Sequence, residues 1–142
     1  MNPDFIVLAA GNGKRMLGSS PKVLLPIGGK PMAQHILDTI SGIEKSRPIL
    51  VVGDQAKEVI NSLQFKRNTK IVTQRKQLGT AHAVKTALAQ LRHSSVTVVL
   101  YGDVPLIEGK TLKRLIRDAS KGALAILTFK KDRPQGYGRV VR

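Results

Sequence analysis

The sequence predicts an α/β protein: a Rossmann-like, mostly parallel sheet with helices on both faces. Three observations carry this expectation. Strand-type apolar runs alternate with segments of helical periodicity, the runs are continuously apolar, and glycine-containing polar loops follow most of them. Alternation of this kind specifies parallel strands joined by right-handed crossovers. Continuous apolar strands are those covered on both faces.

The expected strands are residues 5–10, 48–53, 70–73, 96–101 and 124–129. The first expected helix carries Ala33, Ile36, Leu37 and Ile40 at i, i+3, i+4 and i+7, one apolar stripe on an amphipathic helix. The same spacing recurs in Ala56, Val59, Ile60 and Leu63, in Val84, Ala87, Leu88 and Leu91, and in Leu112, Leu115, Ile116 and Ala119. Ligands of such sheets bind outside the carboxyl ends of the strands. That rule directs attention to loops 10–22, 53–55, 74–80, 102–105 and 130–138.

The first of these loops is the most informative. The run ending in Leu8-Ala9-Ala10 breaks into Gly11 and Gly13, followed at once by Lys14 and Arg15, with Lys22 behind Pro21. Glycines let backbone approach a ligand with no Cβ in the way. Freed N–H groups and nearby cations then make a phosphate cradle. The spacing fits neither a Walker A loop nor the dinucleotide fingerprint, since Met16 stands where the latter needs its third glycine. A glycine turn without any ligand is the alternative reading.

Asp103, in Tyr101-Gly102-Asp103-Val104-Pro105, ends a strand where a metal would meet a bound phosphate. Mg²⁺ takes one or two protein carboxylates and fills its shell with water and phosphate oxygens. The alternative is an Asp capping the turn before Pro105. In loop 74–80, Thr80 is either the N-cap of the next helix or, with Gly79, a surface for a nucleoside. Gln74 offers a base edge both donor and acceptor. Gly136-Tyr137-Gly138-Arg139 marks a tight turn into an expected short last strand, while His35, His82 and His93 share no ligand spacing.

Length bounds the architecture to one core, since the chain has 142 residues. No apolar run approaches the roughly 20 residues that span a bilayer. The N-terminus has no signal-peptide pattern, and cysteine is absent, which fits a cytoplasmic protein. The net charge of +15 favours anionic partners and is concentrated late, where only Asp118 and Asp132 oppose the cations that follow Lys110. A basic nucleic-acid-binding module is the rival from another class. With three Phe and two Tyr the chain lacks an aromatic stacking platform, so no nucleic-acid or membrane partner is expected.

Leu8-Ala-Ala-Gly11 with Gly13 and Arg15-Met16, Pro21-Lys22-Val23-Leu24, Gln77-Leu-Gly-Thr80 with His82-Ala83, Tyr101-Gly-Asp-Val-Pro-Leu106 and Gly136-Tyr-Gly-Arg139 together resemble the nucleotide-sugar pyrophosphorylases. Within them the pattern is similar to the uridylyltransferase half of the bifunctional GlmU family. The resemblance implies an enzyme joining UTP and N-acetylglucosamine 1-phosphate, with Mg²⁺ as cofactor, to give UDP-N-acetylglucosamine and pyrophosphate. It implies that Leu8, Ala9, Ala10, Gly11 and Gly13 lie against the nucleotide, that Gln74, Gly79 and Thr80 hold the uridine, and that Arg15 and Lys22 neutralise the triphosphate. Asp103 would bind the metal, and Arg15, Lys22 and Asp103 form the catalytic set. Tyr101, Gly102, Asp103 and Gly138 would border the sugar. Lys14 departs from the family's usual Thr. The resemblance also implies that residues 1–142 are the N-terminal part of one pyrophosphorylase domain, incomplete at its C-terminus. Its second metal ligand, further sugar contacts and the trimer-forming acetyltransferase β-helix would then lie outside this sequence. Weak or no turnover by this chain alone follows, with a pyrophosphorylase for another sugar 1-phosphate as the sister reading.

Overall fold

The computed structural model describes residues 2–11, 20–92 and 96–141. β1 (Asp4–Ala9) lies inside a four-stranded sheet between β4 (Arg47–Val52) and β6 (Thr97–Tyr101), with β5 (Lys70–Thr73) outside β4. Every pairing in this sheet is parallel, with Ile6 level with Ile49 on one side and Val99 on the other. The helices are α1 (Met32–Ser41), α2 (Ala56–Ser62), α3 (Thr80–Ala87) and α4 (Gly109–Ala119). A small hairpin, β2 (Pro26–Ile27) with β3 (Lys30–Pro31), precedes α1, and His35 Nε2 lies 2.8 Å from the Ile27 carbonyl, tying it down.

The pleat of β1 divides the core in two. Phe5, Val7 and Ala9 face a cluster closed by Ala33, Ile36, Leu37 and Ile40 of α1, Val59 of α2, and Leu112 and Ile116 of α4. Ile6, Leu8 and Ala10 face the other way, against Ala83 and Ala87 of α3. Helices therefore cover both faces. Burying an Ile or Leu side chain contributes about 1.5–3 kcal/mol relative to leaving it exposed, so the α1 stripe alone anchors that helix firmly.

Four expectations need correction. Residues 124–129 are not a strand. They run beside the open edge of β6 across a cavity of about 790 Å³, lined by both, and no ladder forms. A strand needs a partner for its backbone N–H and C=O groups, and among the described residues no strand pairs with this segment, whose Leu124 is 87% exposed. The expected last strand after Gly138 is likewise irregular. Continuous burial holds for β1 and β4 but fails at the sheet's margins: β6 buries Val98 and Leu100 while Val99 and Tyr101 stay exposed, because α3 packs over β1, β4 and β5. The α3 stripe shifts as well. The helix tightens into a 3-10 turn at Leu88–Gln90 and Leu88 is exposed, while Ala83 and Ala87 are buried and Val84 and Leu91 pack partly buried against the same cluster.

The amino ends of the strands are fastened by a carboxylate that periodicity does not single out. Asp4 is fully buried and accepts hydrogen bonds from Arg47 Nε at 3.1 Å, Arg92 Nε at 2.8 Å and the Arg92 backbone N–H at 2.7 Å. Arg47 also donates to the Gln90 carbonyl and Arg92 to the Pro3 carbonyl. This clasp sits at the end of the sheet opposite the candidate site, which leaves the carboxyl ends open. Among the described residues no helix is long and apolar enough to cross a membrane.

Candidate nucleotide-binding site

The chain leaves β1 toward β4 and later returns to β6 on the other side, so the strand order reverses between β1 and β6. The crevice at that reversal is where open α/β sheets bind ligands. Gly102 brings its two walls together. Its backbone N–H donates to the Leu8 carbonyl at 2.8 Å, and a Cβ there would stand 2.8 Å from that oxygen and 2.9 Å from Val23 Cγ1. Glycine is therefore required by close approach. Val23 is buried in a 3-10 turn, Lys22–Leu24, entered through an extended Pro21. Packing Val23 against Gly102 places the preceding Lys22 beside the following Asp103.

The result is an ion pair, Lys22 Nζ to Asp103 Oδ2, at 2.7 Å. Side-chain exposures of 43% and 32% keep both groups in contact with solvent. Among the described residues no backbone N–H donates to the Asp103 carboxylate, so it does not cap its own turn; that turn closes through Val104 N–H to the Tyr101 carbonyl at 3.1 Å. The residues fit a hard divalent cation. The carboxylate already holds a cationic group in the crevice, and carboxylate oxygen is the donor Mg²⁺ prefers. Among the described residues no cluster of three or more His, Cys, Asp or Glu side chains converges, as a structural zinc site would demand.

At the other end of the opening, the Gln74 backbone N–H donates to the Val52 carbonyl at 2.8 Å, which carries the β5 ladder one residue past the strand. The Gln74 side chain is only 3% exposed. Its Nε2 reaches the Gly79 carbonyl at 3.2 Å and His82 Nδ1 at 2.9 Å. Gly79 has φ +94°, a left-handed conformation that suits glycine, and it is Gly79 that caps α3. The expected N-cap, Thr80, is instead the first helical residue, and the cap makes no side-chain hydrogen bond. Thr80 is exposed at the start of α3.

Of the β1 loop, Leu8, Ala9 and Ala10 are core residues, so this stretch offers a ligand its backbone rather than its side chains. Gly11 is exposed, and a Cβ there would meet no atom within 4 Å. Gly13 and Arg15 lie outside the described residues. Tyr101 is exposed at the carboxyl end of β6, next to Gly102 and Asp103. Gly138 stands in an exposed segment whose Tyr137 ring packs edge-on against Phe129, with Lys131 Nζ 4.4 Å from its centroid. The structure thus brings Lys22, Gly102 and Asp103 together and Gln74 with Gly79, while among the described residues no hydrogen bond ties Gly138 to either group.

Sequence reasoning missed His82, which it treats as ordinary, and Gln77, whose buried Nε2 has no hydrogen-bond partner among the described residues. The available signal was position: both lie within the loop and first turn of α3 that follow Gln74.

Similarity to known proteins agrees with this geometry. A family model of the MobA-like NTP transferase domain matches residues 5–139. A Dechloromonas aromatica protein described as the bifunctional protein GlmU is 48% identical over 139 residues, covering 98% of this chain and 30% of that protein. The chain spans about 30% of the length of the curated relatives it matches. Among solved structures, Rv0371c of Mycobacterium tuberculosis is 27% identical with a TM-score of 0.72, covering 84% of this chain and 61% of that one. The fold also matches UDP-glucose pyrophosphorylase complexed with UDP-glucose, at TM-score 0.68 and 20% identity, over 84% of this chain and 54% of that one. Matched along nearly its whole length, with its crevice at the strand-order reversal, the chain belongs to the MobA-like NTP transferase family.

Proposed function

We propose that this chain is the nucleotide-binding part of a pyrophosphorylase domain that joins UTP and N-acetylglucosamine 1-phosphate, releasing pyrophosphate and UDP-N-acetylglucosamine. The observation that carries the reading is the Lys22–Asp103 pair in the β1–β6 crevice, one cation and one carboxylate where a triphosphate and its metal must sit. The identity to proteins described as GlmU supports the choice of substrates. A manganese complex of Rv0371c, a relative at 25% identity, supports metal dependence.

The reaction needs no protein nucleophile. An oxygen of the sugar phosphate attacks the α-phosphorus in line, the bond from that phosphorus to the bridging oxygen breaks, and pyrophosphate departs. Lys22, with Arg15, binds and neutralises the phosphates, and preorganised charge of this kind is worth about 10²–10³ in rate per group. Mg²⁺ held by Asp103 would add neutralisation of the triphosphate. Gln74, Gly79 and Thr80 hold the uridine beside the Leu8–Gly11 backbone, and Tyr101, Gly102 and Gly138 border the sugar. Turnover by this chain alone is weak or nil. The location is cytoplasmic, where UTP is available.

Calorimetric titration of UTP with and without Mg²⁺, on this chain and on Asp103→Ala, tests the reading. Saturable binding, strengthened by Mg²⁺ only in the unsubstituted chain, is the expected result. Absence of UTP binding by the folded chain would overturn it.

A further inference from the structure

We infer that His82 is a positioning residue that sets the orientation of the Gln74 side-chain amide, so that an acceptor faces the nucleobase and uracil is selected over cytosine. The inference rests on the uridine-nucleotide reading above.

An amide presents a donor end and an acceptor end, and its orientation decides which base it can read. In Gln74 two contacts on one nitrogen make that choice, the shorter of them to His82. Nε2 lies 3.2 Å from the Gly79 carbonyl, which can only accept. The same nitrogen lies 2.9 Å from His82 Nδ1. Its second hydrogen is then the one that faces the ring, which assigns Nδ1 as the acceptor and the ring's own hydrogen to Nε2. Both amide hydrogens are spent within one turn of α3, between its cap and its third residue. Gln74 Oε1 is left as the only unused group of a side chain that is 3% exposed, and no donor among the described residues reaches it.

A fixed acceptor discriminates between pyrimidines. Uracil offers N3–H to Oε1, whereas cytosine offers a lone pair at the same position and must shift to bring its amino group into reach. Adenine N1 is likewise a lone pair. The neighbouring Gln77 has a buried Nε2 without a hydrogen-bond partner among the described residues, 3.0 Å from where a Cβ on Gly53 would stand. Sites that leave a buried polar group unpaired against the wrong substrate discriminate strongly.

The test is competitive binding of UTP and CTP to the folded chain and to His82→Leu and His82→Asn, with the tautomer of His82 read by ¹⁵N chemical shifts. His82→Asn keeps an acceptor oxygen near the Nδ1 position, and its spectrum assigns the ring among the three histidines. The expected outcome is a UTP preference that falls about five- to tenfold in His82→Leu and returns in His82→Asn. The ring of the unsubstituted chain carries its hydrogen on Nε2, a readout independent of how either variant folds. A preference unchanged in a folded His82→Leu, or a ring protonated at Nδ1, overturns the positioning role while leaving the uridine site intact. Equal binding of UTP and CTP by the unsubstituted chain also overturns it. Failure to bind either nucleotide overturns the uridylyltransferase reading itself.

Discussion

Lys22 Nζ and Asp103 Oδ2 stand 2.7 Å apart across 81 positions of sequence, joined by the packing of Val23 on Gly102. Both groups keep substantial solvent contact, so the pair itself stabilises the fold by no more than about 1 kcal/mol. Its value is electrostatic placement. Asp103→Asn is expected to leave the urea midpoint nearly unchanged while removing the Mg²⁺ enhancement of UTP binding. Lys22→Ala is expected to weaken UTP binding about 10–100-fold, as loss of a charge-assisted hydrogen bond does. Calorimetry on the two variants checks both. Mg²⁺ enhancement persisting in Asp103→Asn would remove the carboxylate from the metal site.

Two glycines of the crevice separate packing from binding. At Gly102 a methyl group would meet the Leu8 carbonyl at 2.8 Å, and that oxygen belongs to a central strand that cannot move aside. Gly102→Ala is therefore expected to cost about 1–3 kcal/mol in chemical denaturation. At Gly11 a methyl group meets nothing within 4 Å. Gly11→Ala is expected to keep full stability and to weaken UTP binding, because the added group occupies the ligand's side. A Gly11→Ala chain that binds UTP normally would show that the β1 loop does not contact the nucleotide.

The Asp4 clasp makes an acid-sensitivity prediction with a definite sign. Burial alone would raise the Asp4 carboxyl's pKa. Hydrogen bonds from the Arg47 side chain and from the Arg92 backbone and side chain outweigh it, with the Arg47 charge adding to them, and hold the group below the ordinary carboxylate value. A depressed folded-state pKa contributes stability that is complete above the unfolded-state value, about 3.9, and is lost as pH falls below it toward the folded-state value. Removing one partner of such a buried pair costs about 3–5 kcal/mol. Asp4→Asn is expected to unfold at a clearly lower urea concentration at pH 7, with a flatter stability profile below about pH 4 than the unsubstituted chain. Parallel profiles for the two chains would mean that the clasp does not lower the Asp4 pKa below its unfolded-state value.

The central strands and the four helices are legible in the sequence because burial on both faces writes itself as apolar periodicity: α1 buries Ala33, Ile36, Leu37 and Ile40 as their spacing predicts. Lys22 and Asp103 are legible as loop residues at carboxyl ends, though their contact depends on Val23 meeting Gly102, a tertiary event with no local signature. Residues 124–129 mislead for the same reason in reverse. Their composition suits a strand, but pairing is a property of two segments, and β6 offers them no ladder. Asp4 and His82 are single polar residues whose roles come from partners 43 or 88 positions away in one case and 8 in the other, distances that no periodicity spans.

The open edge of β6 carries the last prediction. Val99 and Tyr101 on that strand, with Leu124, Ile126, Leu127 and Phe129 across the cavity, expose a contiguous apolar surface without a charged residue among them. Natural sheets protect such edges with lysine, proline or a covering element, and unprotected edges pair with other chains. The net charge of +15 opposes association by self-repulsion. Repulsion between exposed charges is screened within a Debye length of about 10 Å at 0.1 M salt, whereas apolar attraction is not. Sedimentation velocity of the chain is therefore expected to show concentration-dependent association that grows as salt is raised. Val99→Lys combined with Ile126→Lys is expected to keep the chain monomeric under the same conditions, by putting a charge on the edge and another on the segment facing it. An unsubstituted chain that stays monomeric at high salt and high micromolar concentration would show that the irregular 124–129 segment already shields the edge.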